Sequence, residues 1–192
     1  MLGEPNSGMI WLDAHGDFNT PETTESTFFD GMGMAIAAGH CWKKLAATIP
    51  WFRPIPDSNI IHVGGRDFDP GERELLQKSG VIVTTAEQIR EGTRAALLPG
   101  FNHLRTRVEK LYLHIDLDVL DPASTPANSY SGRVPNGLTI EQVEMVIALI
   151  GERFQICAAG IASFDPNYDL NGQTLQATLR IIQSIVETKR AY

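Results

Sequence analysis

Short apolar runs of strand length alternate with longer amphipathic segments along the whole chain. The apolar runs occupy residues 9–12, 59–65, 81–85, 111–117 and 156–164. Segments with helical periodicity or helix-terminal residues occupy residues 31–47, 70–80, 86–98, 139–154 and 172–190. Parallel strands need such helical crossovers, so the alternation predicts an α/β fold with a mainly parallel sheet covered on both faces.

Polar side chains follow three of the predicted strands where each strand ends. In an open α/β sheet, ligands bind beyond the carboxyl ends of the strands. We therefore expect these side chains to share one crevice. They are Asp13, His15 and Asp17 after the first strand, Asp67 and Asp69 after the second, and Asp116 and Asp118 on the fourth.

The carboxylates of this predicted crevice need a partner of opposite charge. Asp116 and Asp118 are two residues apart on a strand, so both project to one face and repel each other unless protonated or neutralised by a cation. A lone Asp-x-Asp is usually a turn or a solvated face, but here a second acidic cluster accompanies it. Oxygen ligands combined with an imidazole favour Mn²⁺, and bridging carboxylates favour two ions about 3.5–4 Å apart.

The composition and charge of the chain argue against several classes of binding partner. The formal charge of −7 argues against nucleic acid or an anionic membrane as a partner. Cys41 and Cys157 have no metal-like spacing and indicate no disulfide framework. No apolar run reaches the roughly 20 residues of a membrane span, and the N-terminal residues do not resemble a signal peptide. We therefore expect a cytoplasmic protein.

The chain contains three motif-like segments, in this order: "DAHGDFNTPETT", "VGGRDFDPGE" and "HIDLDVLDPASTP". In sequence and order they resemble motifs of the arginase/agmatinase/formiminoglutamase family, the ureohydrolases. The resemblance covers most of the chain. It implies a three-layer α/β/α fold, a site for two Mn²⁺, and hydrolysis of linear C–N bonds in small amidine, guanidino or formimino compounds. It also implies a homo-oligomer.

The resemblance assigns a role to each residue of the motifs. Asp17 matches a metal ligand of the family that, in addition, orients the nucleophile. Asn19 and Ser26 match positions that contact a substrate carboxylate in arginases, although plain loop residues are the simpler interpretation. Asp69 matches a contact to the substrate amino group, or it caps the following helix. The residues that match metal ligands are Asp13, His15, Asp17, Asp116 and Asp118, with Asp13 and Asp116 at the bridging positions.

The sequence departs from the family pattern before Asp13. The family normally carries a Gly-Gly-Asp-His segment some two dozen residues earlier, and its His is a metal ligand. Only 12 residues precede Asp13 here. We expect residues 1–192 to form one arginase-like domain that lacks the first strand–helix unit, which would leave a sheet edge uncovered.

Two further departures concern the chemistry. Asp30 stands where arginases have a proton-shuttling His, and enclosure by Phe28, Phe29 and Met32 would favour its protonated form; an exposed loop aspartate is the alternative. Ser163 stands where the family has a Glu that pairs with the guanidinium. A Ser cannot make that charge-assisted pair, so a less basic amidine or formimino group fits better.

Three hypotheses for the function follow. The first is a two-manganese amidine hydrolase, and the second is a catalytically silent binding or subunit-interface module. A zinc deacetylase of related fold is a weaker third hypothesis. His114 lies on the same strand face as Asp116 and Asp118, where it is a partner of the metal ligands or, by the simpler interpretation, a core histidine.

Overall fold

A parallel five-stranded sheet forms the centre of the computed structural model, which describes residues 6–126 and 134–188. Neighbouring strands are hydrogen-bonded in the order β3-β2-β1-β4-β5, and every pair is parallel. This confirms the predicted sheet. The strands are β1 (Ser7–Leu12), β2 (Ile60–Gly65), β3 (Ile82–Thr85), β4 (Lys110–Asp116) and β5 (Gln155–Ala162).

Helices cover both faces of the sheet and give the three layers. They are α1 (Gly33–Ala38), α2 (Lys43–Ala46), α3 (Pro70–Lys78), α4 (Ala86–Arg105), α5 (Ile140–Gly151) and α6 (Gln173–Thr188). Side chains of α4, α5 and α6 share one core with Ile10 and Leu12 of β1. Side chains of α1 and α3 pack with Met9 and Trp11, which alternate with Ile10 and Leu12 and point to the opposite face.

The structure corrects the predicted helix over residues 31–47. Two short helices, α1 and α2, replace it. Gly39 takes a left-handed conformation with φ of 81° and ends α1, and Trp42 takes a second one with φ of 49°. A side chain at residue 39 would also collide with Pro54, because its Cβ would lie 2.8 Å from that ring. The local backbone therefore overrides the helical composition of this segment.

Two other boundaries differ from the sequence prediction. The strand β4 ends at Asp116, and Asp118 lies in a short 3-10 turn, Leu117–Val119. The helix α4 continues past residue 98 through Pro99, although proline is unfavourable within a helix. Phe101 and Leu104 are both fully buried on this continuation, and their burial offsets the cost of the proline.

The β5 edge of the sheet exposes side chains among the residues that the structure describes. The edge strand β5 exposes Cys157, Ala158 and Ala159. The neighbouring helix α6 carries a second apolar stripe on its outward face, at Leu175, Leu179, Ile182 and Val186, which are each 43–50% exposed. Within residues 6–126 and 134–188, no helix combines the length and the apolar character needed to cross a membrane.

Candidate metal centre and its cavity

The carboxyl ends of β1 and β4 bring two acidic clusters together at the centre of the sheet. In the parallel register Leu12 lies beside Ile115, so the next residues, Asp13 and Asp116, leave the sheet side by side. Asp13 is 1% exposed, and Asp116 and Asp118 are each 8% exposed. These buried carboxylates lie at the floor of a cavity of about 260 Å³.

His15 joins the first group of potential ligands. Its Nδ1 lies 2.9 Å from Asp118 Oδ2 and 3.5 Å from Asp13 Oδ1. Backbone hydrogen bonds fix the turn, since the His15 N–H donates to Asp13 Oδ1 at 2.8 Å and the Ala14 N–H donates to Asp118 Oδ1 at 3.0 Å. Ligand atoms of Asp13, His15 and Asp118 all lie within 4.8 Å of one another.

A second group of potential ligands shares Asp13 with the first. Ligand atoms of Asp13, His114 and Asp116 also lie within 4.8 Å of one another. Asp116 is oriented by the Asp118 N–H, which donates to its Oδ1 at 2.9 Å, and by the Ser163 hydroxyl, which donates to its Oδ2. Two ligand groups joined by one carboxylate form the arrangement that a pair of cations requires.

The electrostatics show that this cluster lacks positive charge. Burial raises the pKa of Asp13 and Asp17 well above the usual aspartate value, and neighbouring carboxylates raise it further. Burial also raises the pKa of Asp116 to about 7, again with a contribution from Asp118. Burial alone would lower the pKa of His15, but its hydrogen bonds with Asp118 and Asp13 raise it to about 11. A protonated His15 partly neutralises the cluster, and this set of oxygen and imidazole donors fits divalent ions such as Mn²⁺.

Asp17 borders the cavity without joining either ligand group. It is half-buried and has a left-handed backbone with φ of 49°. Its carbonyl accepts the Ala35 N–H at 3.0 Å, which anchors this turn to α1. Asp17 is therefore held at the wall of the cavity beside the clustered carboxylates.

The residues expected to contact substrate lie around the same cavity, but several already bond one another. The Asn19 amide donates to Asp69 Oδ2 at 2.9 Å and accepts the Thr23 hydroxyl at 2.9 Å. Asp69 immediately precedes α3 and also accepts the Glu25 N–H at 3.1 Å. Ser26 is exposed and accepts the Phe28 N–H at 3.1 Å.

Asp30 and Ser163 complete the cavity wall. Phe28 and Phe29 are each 50% exposed and Asp30 is exposed, so the predicted apolar enclosure of its carboxyl is wrong. Ser163 follows β5 in a left-handed conformation with φ of 64°, an unfavourable backbone for a residue with a side chain. This conformation and the hydrogen bond to Asp116 bring its hydroxyl to the acidic cluster.

Comparison with known proteins identifies the family. The model of the arginase family matches residues 2–187. The chain belongs to the arginase family.

Individual relatives agree with this assignment. The arginase of Brevibacillus brevis is 28% identical over 185 residues, covering 96% of this chain and 61% of the relative. The crystal structure of arginase from Bacillus subtilis superposes with a TM-score of 0.85 at 28% identity, covering 94% of this chain and 62% of that one. Formimidoylglutamase from Bacillus subtilis shares the fold, with a TM-score of 0.75 at 18% identity, covering 95% of this chain and 53% of that one. The chain thus spans about 60% of the length of the arginases it matches.

Sequence reasoning missed several residues that support the site of this arginase-family chain. Trp11 donates its indole N–H to Asp13 Oδ2 at 3.2 Å. A buried Trp usually needs such an acceptor, so a Trp within a predicted buried strand was the available signal for this contact. His62 lies beneath the turn, with Nε2 2.6 Å from the His15 carbonyl. Arg66 donates to the carbonyls of Asp118 at 2.8 Å and Val134 at 2.9 Å, which holds the turn that carries Asp118.

Glu72 is a further supporting residue. It is only 2% exposed, and its Oε1 accepts the Phe18 N–H at 2.8 Å while its Oε2 accepts the Asp69 N–H at 3.3 Å. Gly16 packs directly against it, because a Cβ there would lie 2.4 Å from the Glu72 carboxyl carbon. The position of Glu72, three residues after Asp69 at the start of α3, is the only local sequence signal for this role.

Replacement of Glu72 by alanine should lower the free energy of unfolding by about 2–4 kcal/mol, because two backbone N–H groups lose their acceptor. Urea unfolding monitored by circular dichroism measures this change. Glu74 is on the same helix and pairs with Lys78 at the surface, so Glu74→Ala should cost no more than about 0.5 kcal/mol. Equal effects of the two substitutions would contradict the assigned role of Glu72.

Proposed function

We propose that this protein is a hydrolase with two Mn²⁺ ions that cleaves a linear C–N bond of a small amidine, guanidino or formimino compound. The observation that carries the proposal is the pair of ligand groups joined by Asp13 at the floor of one cavity. Membership of the arginase family supports the same reaction class.

Each acidic residue has a defined part in this proposal. Asp13 would contribute to both sites, and by the family motif Asp116 would do so as well. His15 with Asp118 would complete one site, and Asp17 would be a further ligand. Asp17, at the cavity wall, orients the nucleophile. When bound, the ions supply a nucleophile at neutral pH and stabilise the negative charge that develops on the substrate.

The remaining cavity residues bind and orient the substrate. Asn19, Ser26 and Asp69 lie on one side, where their amide, hydroxyl and carboxylate groups can exchange bonds with one another for bonds to a polar substrate tail. Ser163 offers a neutral hydroxyl to the reacting group. Asp30 is exposed at the rim, where a carboxylate can pass protons between solvent and the departing amine.

The neutral hydroxyl of Ser163 leads to a prediction about the substrate. We expect kcat/KM for a formimino or hydroxyguanidine compound to exceed that for arginine or agmatine by at least about 10-fold. A hydrogen bond to a charged group contributes roughly 1.5–3 kcal/mol, and Ser163 provides no charge. Steady-state assays of these four substrate classes with saturating Mn²⁺ measure the ratio.

Two variants separate the role of Ser163 from a general loss of activity. Ser163→Ala removes the hydroxyl at nearly constant volume and should leave arginine a poor substrate. Ser163→Glu should raise the relative kcat/KM for guanidino compounds by about 10- to 100-fold, since it restores a charged partner. A wild-type preference for arginine would contradict this assignment.

A silent binding or subunit-interface module is the second candidate. The outward apolar stripe of α6 and the exposed edge of β5 favour it, because such surfaces mark contact sites. Under this candidate no substrate class turns over, even when two ions are bound. A cytoplasmic location, a homo-oligomeric state and a single domain over residues 1–192 stay predictions.

A further inference from the structure

We propose that the substrate carries an uncharged apolar group on the tail that points away from the acidic cluster, and that Phe28 receives this group. The inference rests on the proposed function and deepens it, because it names the chemistry of the substrate tail. Phe28 lines the same cavity that has Asp13 and Asp116 at its floor. It is 50% exposed, so much of its surface remains open for a ligand to cover.

Hydrogen bonds anchor the loop that carries Phe28 against the rest of the site. At the base of the loop, the Asn19 N–H donates to the Gly31 carbonyl at 3.2 Å. Further along, the Glu25 N–H donates to Asp69 Oδ2 at 3.1 Å, which ties the loop to the residue that precedes α3. Phe28 lies between these two anchors. The fold therefore fixes its position beside the cavity.

Two neighbouring phenylalanines on this loop have different surroundings. The Phe29 ring packs edge-on against Trp42, with ring centroids 5.5 Å apart and planes at 71°. Phe28 belongs to the described lining of the cavity, whereas Phe29 does not. Thr27, just before Phe28, has a left-handed backbone with φ of 59°, which is unfavourable for a β-branched residue and is often found at functional sites. Phe29 therefore provides a matched comparison for Phe28.

A second aromatic ring adds apolar surface to the cavity. Phe68, on the loop after β2, also lines the cavity and is half-buried. The Arg73 guanidinium lies over this ring, with its carbon 5.1 Å from the ring centroid, and the His62 ring packs against it at 5.8 Å. The wall thus combines two aromatic side chains with its polar groups, which is the usual lining of a site for a small molecule.

The polar groups of the wall contribute more to the orientation of a substrate than to its affinity. The Asn19 amide already donates to Asp69 at 2.9 Å, and Asp69 also accepts the Glu25 N–H. A substrate that exchanges these bonds for its own conserves their number, so the net gain in free energy is small. Covering Phe28 instead removes apolar surface from water, which is the larger source of affinity.

The charge of the cavity argues against an ionised carboxylate on the tail. Carboxylates are frequent among the described residues that line it, and the one basic side chain among them, His15, is paired with Asp118. An ammonium tail would have the favourable sign of charge. Asp30 is exposed, however, and water and salt weaken the attraction between exposed charges. An uncharged alkyl or aryl tail therefore fits this wall best.

Binding of guanidino compounds that share one head group and differ in the tail tests this inference. Methylguanidine, benzylguanidine, agmatine and guanidinobutyrate are titrated by calorimetry into the Mn²⁺-loaded protein. Any weak pairing of the head group at Ser163 affects all four compounds alike. We expect the Kd of benzylguanidine to be at least about 10-fold below the other three, since burial of apolar surface equal to a few methylene groups corresponds to roughly that factor.

Three substitutions on the loop show whether Phe28 is responsible. Phe28→Ala should reduce the advantage of benzylguanidine over methylguanidine to below about 3-fold, because the apolar contact is lost. Phe28→Leu keeps an apolar side chain and should retain most of the advantage. Phe29→Ala removes an equally exposed ring that lies outside the described lining, and should retain the full advantage. Circular dichroism and the Mn²⁺ content of each variant show whether the fold and the centre are intact.

The outcomes separate this inference from the proposed function. Equal affinities of the wild type for methylguanidine and benzylguanidine, or tighter binding of agmatine or guanidinobutyrate, would overturn the role of Phe28. An unchanged advantage of benzylguanidine in Phe28→Ala, or no binding of any of the four compounds, would overturn it as well. Loss of the advantage in Phe28→Ala without turnover of any substrate class would overturn the proposed function and leave the binding site for an apolar tail standing.

Discussion

Replacement of Asp13 by asparagine is expected to remove both manganese ions and to lower kcat/KM by about 10³-fold or more. Asp13 is the one member shared by the two ligand groups of the described residues, so its loss weakens both sites at once. Metal ions contribute several kcal/mol of charge stabilisation, and each 1.36 kcal/mol corresponds to a factor of about ten in rate. Metal analysis after desalting and steady-state kinetics measure the two effects.

Asparagine is the appropriate replacement because it nearly preserves the volume of Asp13. Its amide oxygen can still accept the His15 N–H that now bonds Asp13 Oδ1 at 2.8 Å. Glu91→Gln is the control, since it also removes one negative charge, from an exposed carboxylate on α4. An Asp13→Asn variant that keeps two ions and normal turnover would refute the two-ion centre.

The second large effect is a dependence of stability on pH that Mn²⁺ reverses. Burial raises the pKa of Glu72 to about 7, as it does for Asp116. The folded state therefore holds protons that the unfolded state releases, so the stability of the metal-free protein falls as pH rises from about 4 to about 7. Each of these shifts corresponds to a change on the order of 3 kcal/mol.

His15 extends this fall of stability with rising pH, whereas Asp118 opposes it. The stabilisation from protonated His15 is fully present below its unfolded pKa and is lost as pH rises toward about 11, because its carboxylate partners raise its pKa in the folded state. The pKa of Asp118 is lowered: burial opposes the shift, but the hydrogen bond with His15 outweighs it. Asp118 therefore adds stability above its usual range. Burial lowers the pKa of His62 and His114 to about 4, so these two histidines also oppose the trend set by the raised carboxylates.

Thermal unfolding between pH 5 and pH 8 measures this dependence. The midpoint of the metal-free protein should fall across this range. With saturating Mn²⁺ it should stay level or rise, since metal binding improves as its ligands lose protons. Glu72→Gln removes one of the groups and should flatten the metal-free curve. A metal-free protein that is more stable at pH 8 than at pH 5 would contradict the proposed charge balance.

The strands and the acidic cluster could be predicted because both are encoded locally. Apolar runs of strand length end at Asp13 and Asp116, and parallel strands place those ends at one edge of the sheet. The supporting contacts are not local. Glu72 bonds the backbone of Phe18 across 54 positions of sequence, and no periodicity carries such information. The prediction of a single helix over residues 31–47 was wrong because the left-handed backbones of Gly39 and Trp42 outweigh the helical composition of this segment.

The indole of Trp11 is a built-in optical probe of this centre. It contacts both the shared carboxylate of Asp13 and the stacked imidazole of His114, whereas the protein's other two tryptophans, Trp42 and Trp51, are 44% and 85% exposed. Paramagnetic Mn²⁺ quenches fluorescence at short range. Binding of the ions should therefore quench the emission of buried Trp11 selectively, while the red-shifted emission of exposed Trp42 and Trp51 remains. Loading of the centre can therefore be followed in real time on the unlabelled protein.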